Sequence, residues 1–178
     1  MDEAIVTLFK TFGPFQINAE IECKSDDLGI KFNSAHQNLN DASGVYIFAY
    51  EGVGSLIPLY VGKAQRQSFA TRIAQHLNSG KFSAFLDDHA KKLQIILIAR
   101  VNGDNKCMRA KVDADEEFSV VSELECSLIG SCAAVNPRLL NLNVLKHPEL
   151  LRVPGYLGDG PNDLDTSAVT LAKMLRKS

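Results

Sequence analysis

Glu125 is a carboxylate set in the apolar stripe of a predicted helix. Its neighbours on a helical wheel, within about 60° of it, are Val121, Leu128, Ile129 and Cys132. A carboxylate in such a stripe is costly unless it is paired with a cation or bound to a metal ion. A buried salt bridge, for which Arg72 is one candidate partner, is therefore the alternative to a metal site. Glu123 falls on the opposite face and is expected to be solvated.

Arg72 and His76 bring a cation and an imidazole to one flank of another predicted helix, residues 68–78. Phe69, Ile73 and Leu77 repeat at helical spacing there, and Ser68 is a candidate N-cap. Side chains four residues apart lie on the same side of a helix. The side chains of Arg72 and His76 can therefore both reach over the edge of a sheet from the same side of the helix.

Tyr46 and Tyr60 lie on two short apolar segments that predict strands, residues 44–50 and 60–64, and Lys63 closes the second one. Along the first segment the residues alternate between Val45, Ile47 and Ala49 on one face and Tyr46, Phe48 and Tyr50 on the other. The glycines and proline between the two segments predict a hairpin connection.

The remaining pattern predicts an α+β protein. Residues 93–100 form an apolar run that is typical of a central strand, and residues 115–133 form a second amphipathic helix that ends at Asn136-Pro137. Residues 1–40 predict short strands or turns around a core that begins near Ser43. The C-terminal segment predicts a loop and a last helix with a basic end.

Composition favours a globular protein of the cytoplasm. The chain has 178 residues, 46% of them hydrophobic and 22% charged. It has no apolar run near the ~20 residues of a membrane span, and its first residues lack the basic region of a secretory signal. The four cysteines have neither metal-finger spacing nor a CxxC pair, so they are expected to be reduced thiols.

Positive charge is concentrated in the segment from Tyr60 to Arg100, which carries a net charge of +5 although the whole chain carries −2. Residues 1–59 carry −5 and residues 101–136 carry −4. Such a cluster can attract a polyanion, and binding through it should weaken with salt. Taken alone, the cluster is more simply a solvated helical face.

Several short motifs follow one another in a fixed order. They are GVY at 44–46, YVGK at 60–63, R-x-x-x-H at 72–76, E-x-x-L-I at 125–129, Asn-Pro at 136–137 and then Asn141. Together, over residues 43–143, they resemble the GIY-YIG nuclease superfamily. The segment after Pro137 is longer than the family's shorter form, so Asn143 is the alternative to Asn141.

The resemblance implies a small three-stranded antiparallel sheet flanked by helices. The nuclease core would span residues 43–143, with an N-terminal elaboration at 1–42 and a C-terminal loop and helix at 144–178. It also implies a metal-dependent endonuclease that cuts DNA phosphodiester bonds, in a setting such as restriction, mobile introns, repair or junction resolution. A homodimer, as restriction-type enzymes often form, stays open.

Carried onto this chain, the resemblance implies that Glu125 holds Mg²⁺ or Mn²⁺, which prefer carboxylate and water oxygens. Arg72 would bind phosphate oxygens through its planar fork of donors, and His76 would relay a proton or bind phosphate. Asn141 is the remaining residue that the resemblance places in the active site.

The two tyrosines would act on the attacking water. Tyr46 and Tyr60, on the exposed face of adjacent strands, would position and deprotonate it. A free tyrosine has a pKa near ~10, so this role needs a cation to lower it, and Lys63 is the candidate.

All these side chains are then expected on one concave surface, and a Glu125 on the opposite side of the sheet from Tyr46 would contradict an active nuclease. Two other classes stay open: a non-catalytic nucleic-acid binder that keeps the fold, and an unrelated α+β domain with accidental matches.

Overall fold

The computed structural model describes residues 7–18, 24–79, 93–109, 115–140, 151–152 and 166–175. Its strands are β1 (Thr7–Ile17), β2 (Gly44–Glu51), β3 (Leu56–Ala64), β4 (Leu93–Val101) and β5 (Leu151–Arg152). Its helices are α1 (Ser25–Ala35), α2 (Phe69–Asn78), α3 (Asp115–Val135) and α4 (Thr166–Leu175). The described part of the chain is therefore α+β, as predicted.

The strands form one sheet in the order β3-β2-β4-β1-β5. The first four are antiparallel to their neighbours, and the short β5 runs parallel to β1. The three predicted strands β2, β3 and β4 are present, but the expected three-stranded sheet is wrong because β1 continues it. Leu8 of β1 pairs with Val101 and Ile17 pairs with Leu93, so β1 runs the full length of β4.

β1 was not expected as a long strand because Gly13-Pro14 interrupts its apolar pattern. The strand accommodates the dipeptide as a bulge, where the register with β4 shifts between Phe12 and Phe15. Gly13 has a φ of 100°, which favours glycine, and Pro14 has no N–H to give to a ladder. Two turn-forming residues therefore bend this strand without ending it.

Helices cover both faces of the sheet. Tyr46 and Phe48 of β2 belong to the core beneath α1 and α2. Val45, Ile47 and Ala49 belong to the core beneath α3 and α4. The predicted alternation along β2 is thus confirmed. The expectation that the tyrosine face is exposed is wrong, because two helices cover that face.

The start of α2 is fixed by side-chain hydrogen bonds. The Ser68 hydroxyl accepts from the Thr71 N–H at 3.1 Å, which confirms Ser68 as the N-cap. The Asn40 side chain accepts from the Ala70 N–H at 2.9 Å, and its backbone carbonyl accepts from the Phe69 N–H at 2.8 Å. The helix therefore begins at a defined residue, which sets the direction of Arg72 and His76 further along it.

Three cysteines lie in the described ranges, and none of them forms a disulfide there. Burial raises the pKa of the Cys132 thiol to about 12 and that of Cys107 to about 11, the latter against a lowering by the nearby Lys10 charge. Both are therefore protonated at neutral pH and poor nucleophiles. No helix in the described ranges combines the length and apolar character needed to cross a membrane.

Candidate active site

The candidate residues gather around β3, the strand at one edge of the sheet. Successive side chains of a strand point to opposite faces. Tyr60 accordingly packs against the core beneath α1 and α2, and Val61 lies in the core beneath α3 and α4. The next pair repeats this alternation, because Gly62 lies against the Tyr46 ring and Lys63 reaches α3.

Tyr46, Tyr60 and His76 form an aromatic cluster beneath α2. The Tyr60 hydroxyl lies 3.4 Å from His76 Nε2, and the two ring centroids are 4.9 Å apart. The Tyr46 ring is stacked near Tyr60 at 6.4 Å and lies 6.0 Å from His76. The structure thus brings three of the predicted site residues together, with His76 only 5% exposed.

Tyr46 is fully enclosed, with 0% of its surface exposed. Within the described structure its hydroxyl has no hydrogen-bond partner of ordinary geometry. Burial raises the pKa of Tyr46 far above the usual value, and the Tyr60 hydroxyl adds to this effect. The Arg72 guanidinium opposes the shift from close by without cancelling it.

Tyr60 is half-buried, and its pKa is also raised, first by burial and then by the negative charge of Glu125, against a lowering by Arg72. The expectation that Lys63 lowers a tyrosine pKa is therefore wrong. Arg72 is the cation that acts on both hydroxyls, and burial outweighs it. Both tyrosines stay protonated at neutral pH, so they can hydrogen-bond to a water or a phosphate oxygen but do not serve as ready bases.

Glu125 is paired with Lys63 on the α3 side of the sheet. Lys63 Nζ lies 3.0 Å from Glu125 Oε2 and donates to Ser122 Oγ at 2.9 Å. The lysine side chain is 35% exposed and the glutamate side chain 14% exposed. The salt bridge that was the alternative to a metal site exists, but its partner is Lys63. The Arg72 guanidinium instead donates to Gln75 Oε1 at 3.1 Å.

The aromatic cluster and the Lys63–Glu125 pair meet around the edge strand β3 rather than on one face of the sheet. Tyr46 lies in the core beneath α1 and α2, whereas the helix that carries Glu125 packs on the other face. The expectation of a single concave face is wrong in this respect, because the helix that carries Glu125 lies on the face opposite Tyr46, and this placement counts against an active nuclease. Nevertheless, the Glu125 charge raises the pKa of both Tyr46 and Tyr60, so its carboxylate lies within electrostatic reach of both hydroxyls.

Some predicted residues lie outside the described ranges. These are Asn141 and its alternative Asn143, together with three basic residues of the positively charged segment from Tyr60 to Arg100, namely Lys81, Lys91 and Lys92. Asn136 is described: its side chain donates to the Pro58 carbonyl at 2.8 Å, and the Leu140 N–H donates to the Leu59 carbonyl at 2.9 Å. The Asn-Pro segment therefore holds the edge strand in place.

Sequence reasoning missed Ser122 and Gln75, which contact Lys63 and Arg72. A signal for both was available, because each lies three residues from a candidate residue on the same helix. Glu123 was expected to be solvated, but its side chain is half-buried.

Among the described residues, the donors around Glu125 could hold a hydrated divalent cation but do not form an all-protein cage. Among the described residues, no group of three or more His, Cys, Asp or Glu side chains comes together. Mg²⁺ usually keeps several waters and needs only one or two carboxylates beside the phosphate oxygens of its substrate. Glu125, whose side chain is 14% exposed, supplies one such carboxylate.

Searches of protein-family models, curated proteins and solved structures found no match for this chain.

The raised tyrosine pKa values predict a loss of stability in alkali. Above about pH 10 the unfolded chain releases tyrosine protons that the folded protein keeps, so the free energy of unfolding falls as the pH rises. Tyr46→Phe should flatten this fall. At pH 7 it should be about as stable as the wild type, because the buried hydroxyl that it removes has no hydrogen bond of ordinary geometry. Denaturant unfolding across the pH range checks this, and equal slopes for both proteins would contradict it.

Proposed function

We propose that the protein is a metal-dependent endonuclease of the GIY-YIG type that hydrolyses DNA phosphodiester bonds. The observation that carries the proposal is the meeting of separate segments around one edge strand. β2, β3, α2 and α3 contribute Tyr46, Tyr60, Lys63, Arg72, His76 and Glu125. The antiparallel strands β2, β3 and β4 with their flanking helices correspond to the small sheet that the resemblance implies, here extended by β1.

Phosphodiester hydrolysis requires stabilisation of the negative charge on the phosphate in the transition state. Arg72 supplies a planar cation at the α2 side of the edge, oriented by its hydrogen bond to Gln75. Its charge already acts on both tyrosine hydroxyls, so phosphate oxygens bound by Arg72 would lie close to Tyr60. The geometry therefore suits phosphate binding beside the Tyr60–His76 pair.

Hydrolysis also requires an activated water. A divalent cation on Glu125 would supply a water of lowered pKa and neutralise phosphate charge. Because Tyr60 keeps its proton, its hydroxyl would orient this water by hydrogen bonding, while His76 orients the Tyr60 hydroxyl in turn. Tyr46, fully enclosed, would position the Tyr60 ring rather than contact the substrate.

Two observations favour a second candidate, a DNA-binding domain that keeps the fold without cutting. Glu125 is already neutralised by Lys63, and Tyr46 is not accessible to substrate. In that case Arg72 and the neighbouring basic residues would bind the phosphate backbone, and affinity would fall steeply with salt.

Purified protein incubated with plasmid, branched and single-stranded DNA distinguishes the two candidates. The nuclease is expected to cut in the presence of Mg²⁺ or Mn²⁺ and to stop on chelation. Arg72→Ala should reduce the rate roughly 10²–10³-fold, the usual cost of removing a group that stabilises transition-state charge. Salt-sensitive binding without cleavage by the wild type would instead support the binding domain, and the absence of both would refute both.

A further inference from the structure

Lys63 gives Glu125 a cation of its own. The lysine extends from β3, and its ammonium lies 3.0 Å from Glu125 Oε2. It also contacts Ser122 Oγ at 2.9 Å. Ser122 and Glu125 lie three residues apart on α3, so they face the same way one turn apart. The ammonium is therefore held between a charged and a neutral acceptor.

We propose that Lys63 is the resident counter-ion of Glu125, that it competes with a divalent cation for this carboxylate, and that Ser122 retains the ammonium when the cation binds. The inference rests on the proposed function in one respect, the assignment of Glu125 as the metal ligand. It goes beyond that function by giving Lys63 a role in controlling metal affinity and by assigning a role to Ser122.

Charge explains the competition. An ammonium in direct contact with a carboxylate cancels the attraction that a divalent cation would feel, and two cations sharing one carboxylate repel each other. Glu125 is 14% exposed, so without Lys63 its charge would have little water to stabilise it. Lys63, which is 35% exposed and has a flexible stem, can withdraw toward solvent. Ser122 then remains as a neutral acceptor for it.

The test is direct Mn²⁺ binding without DNA, measured by titration calorimetry on the full chain. Lys63→Met keeps most of the side-chain length and removes the charge. It is expected to bind Mn²⁺ about tenfold more tightly than the wild type. Glu125→Gln should lose this binding, and Lys63→Met combined with Glu125→Gln should show no gain.

Ser122→Ala is expected to weaken Mn²⁺ binding a few-fold, because the ammonium would then have only Glu125 as a fixed partner. Ser131→Ala is the matched control, since residue 131 lies on the opposite side of α3 from residue 122 and should bind like the wild type. Mn²⁺ should also raise the melting temperature of Lys63→Met more than that of the wild type. If Lys63→Met does not fold, Lys63→Gln takes its place.

Equal or weaker Mn²⁺ binding by Lys63→Met, or no binding by any variant, would overturn the inference. Plasmid cleavage by the wild type is scored separately, so the two failures can be told apart. A wild type that cuts while Lys63→Met gains no affinity overturns the competition alone. Tighter binding by Lys63→Met with a wild type that does not cut supports the competition and refutes the nuclease.

Discussion

Glu125→Gln is expected to abolish DNA cleavage while lowering the melting temperature by no more than about 4 °C. Glutamine keeps the volume and can still hydrogen-bond to Lys63, but it lacks the charge that would hold the metal ion. The Lys63–Glu125 pair is partly solvated on the lysine side, so its loss should cost about 1 kcal/mol or less. DNA binding should be unchanged or stronger, because a negative charge near phosphate is removed.

Glu123→Gln is the matched control for this experiment. It makes the same chemical change two residues away on α3, where the side chain points to another side of the helix. Cleavage should continue at close to the wild-type rate. If Glu125→Gln melts far below the wild type, the pair is structural; if it still cuts at the normal rate, Glu125 is not the metal ligand.

Gly62→Ala is expected to disrupt the tyrosine cluster. A Cβ at this position would lie 2.5 Å from both Cζ and Oη of Tyr46 and 2.8 Å from Cε1 of Tyr60. Real Cβ atoms do not approach other atoms so closely. Tyr46 is enclosed in the core and Tyr60 packs against that core, so the two rings would have to shift. Overpacking of this kind typically costs about 1–3 kcal/mol. Because both hydroxyls would move, cleavage should fall at least about 10²-fold as well.

Gly103→Ala provides the control for Gly62→Ala. A Cβ on Gly103 would meet nothing within 4 Å, so this variant should match the wild type in melting temperature and in cleavage. Thermal unfolding and plasmid cleavage of both variants are the measurements. A Gly62→Ala protein with wild-type stability and rate would show that the close approach of Tyr46 to β3 is dispensable.

The elements that position the site could be predicted where the signal is local. Ser68 is followed by an apolar stripe at helical spacing, and α2 begins directly after it. The alternation along β2 correctly separated Tyr46 from Val45 and Ile47. In both cases neighbouring residues decide the outcome, so a single sequence contains the information.

The rest depends on contacts between distant segments. Tyr46 is enclosed because α1 and α2 pack over its face, and nothing near residue 46 specifies that cover. The choice of Lys63 rather than Arg72 as the partner of Glu125 follows from how α3 lies across β3. The raised tyrosine pKa values follow from the same packing, which is why the expected lowering by Lys63 was wrong.

The place of β1 has a consequence for any shortened form of the protein. β1 hydrogen-bonds along the whole of β4, a strand rich in buried aliphatic residues. A fragment limited to residues 43–143 would leave that side of β4 with unpaired N–H and C=O groups. Long, flat, apolar strand edges of this kind recruit other chains. Such a fragment would therefore contain all the motif residues and yet be expected to aggregate, so a shortened form should retain β1.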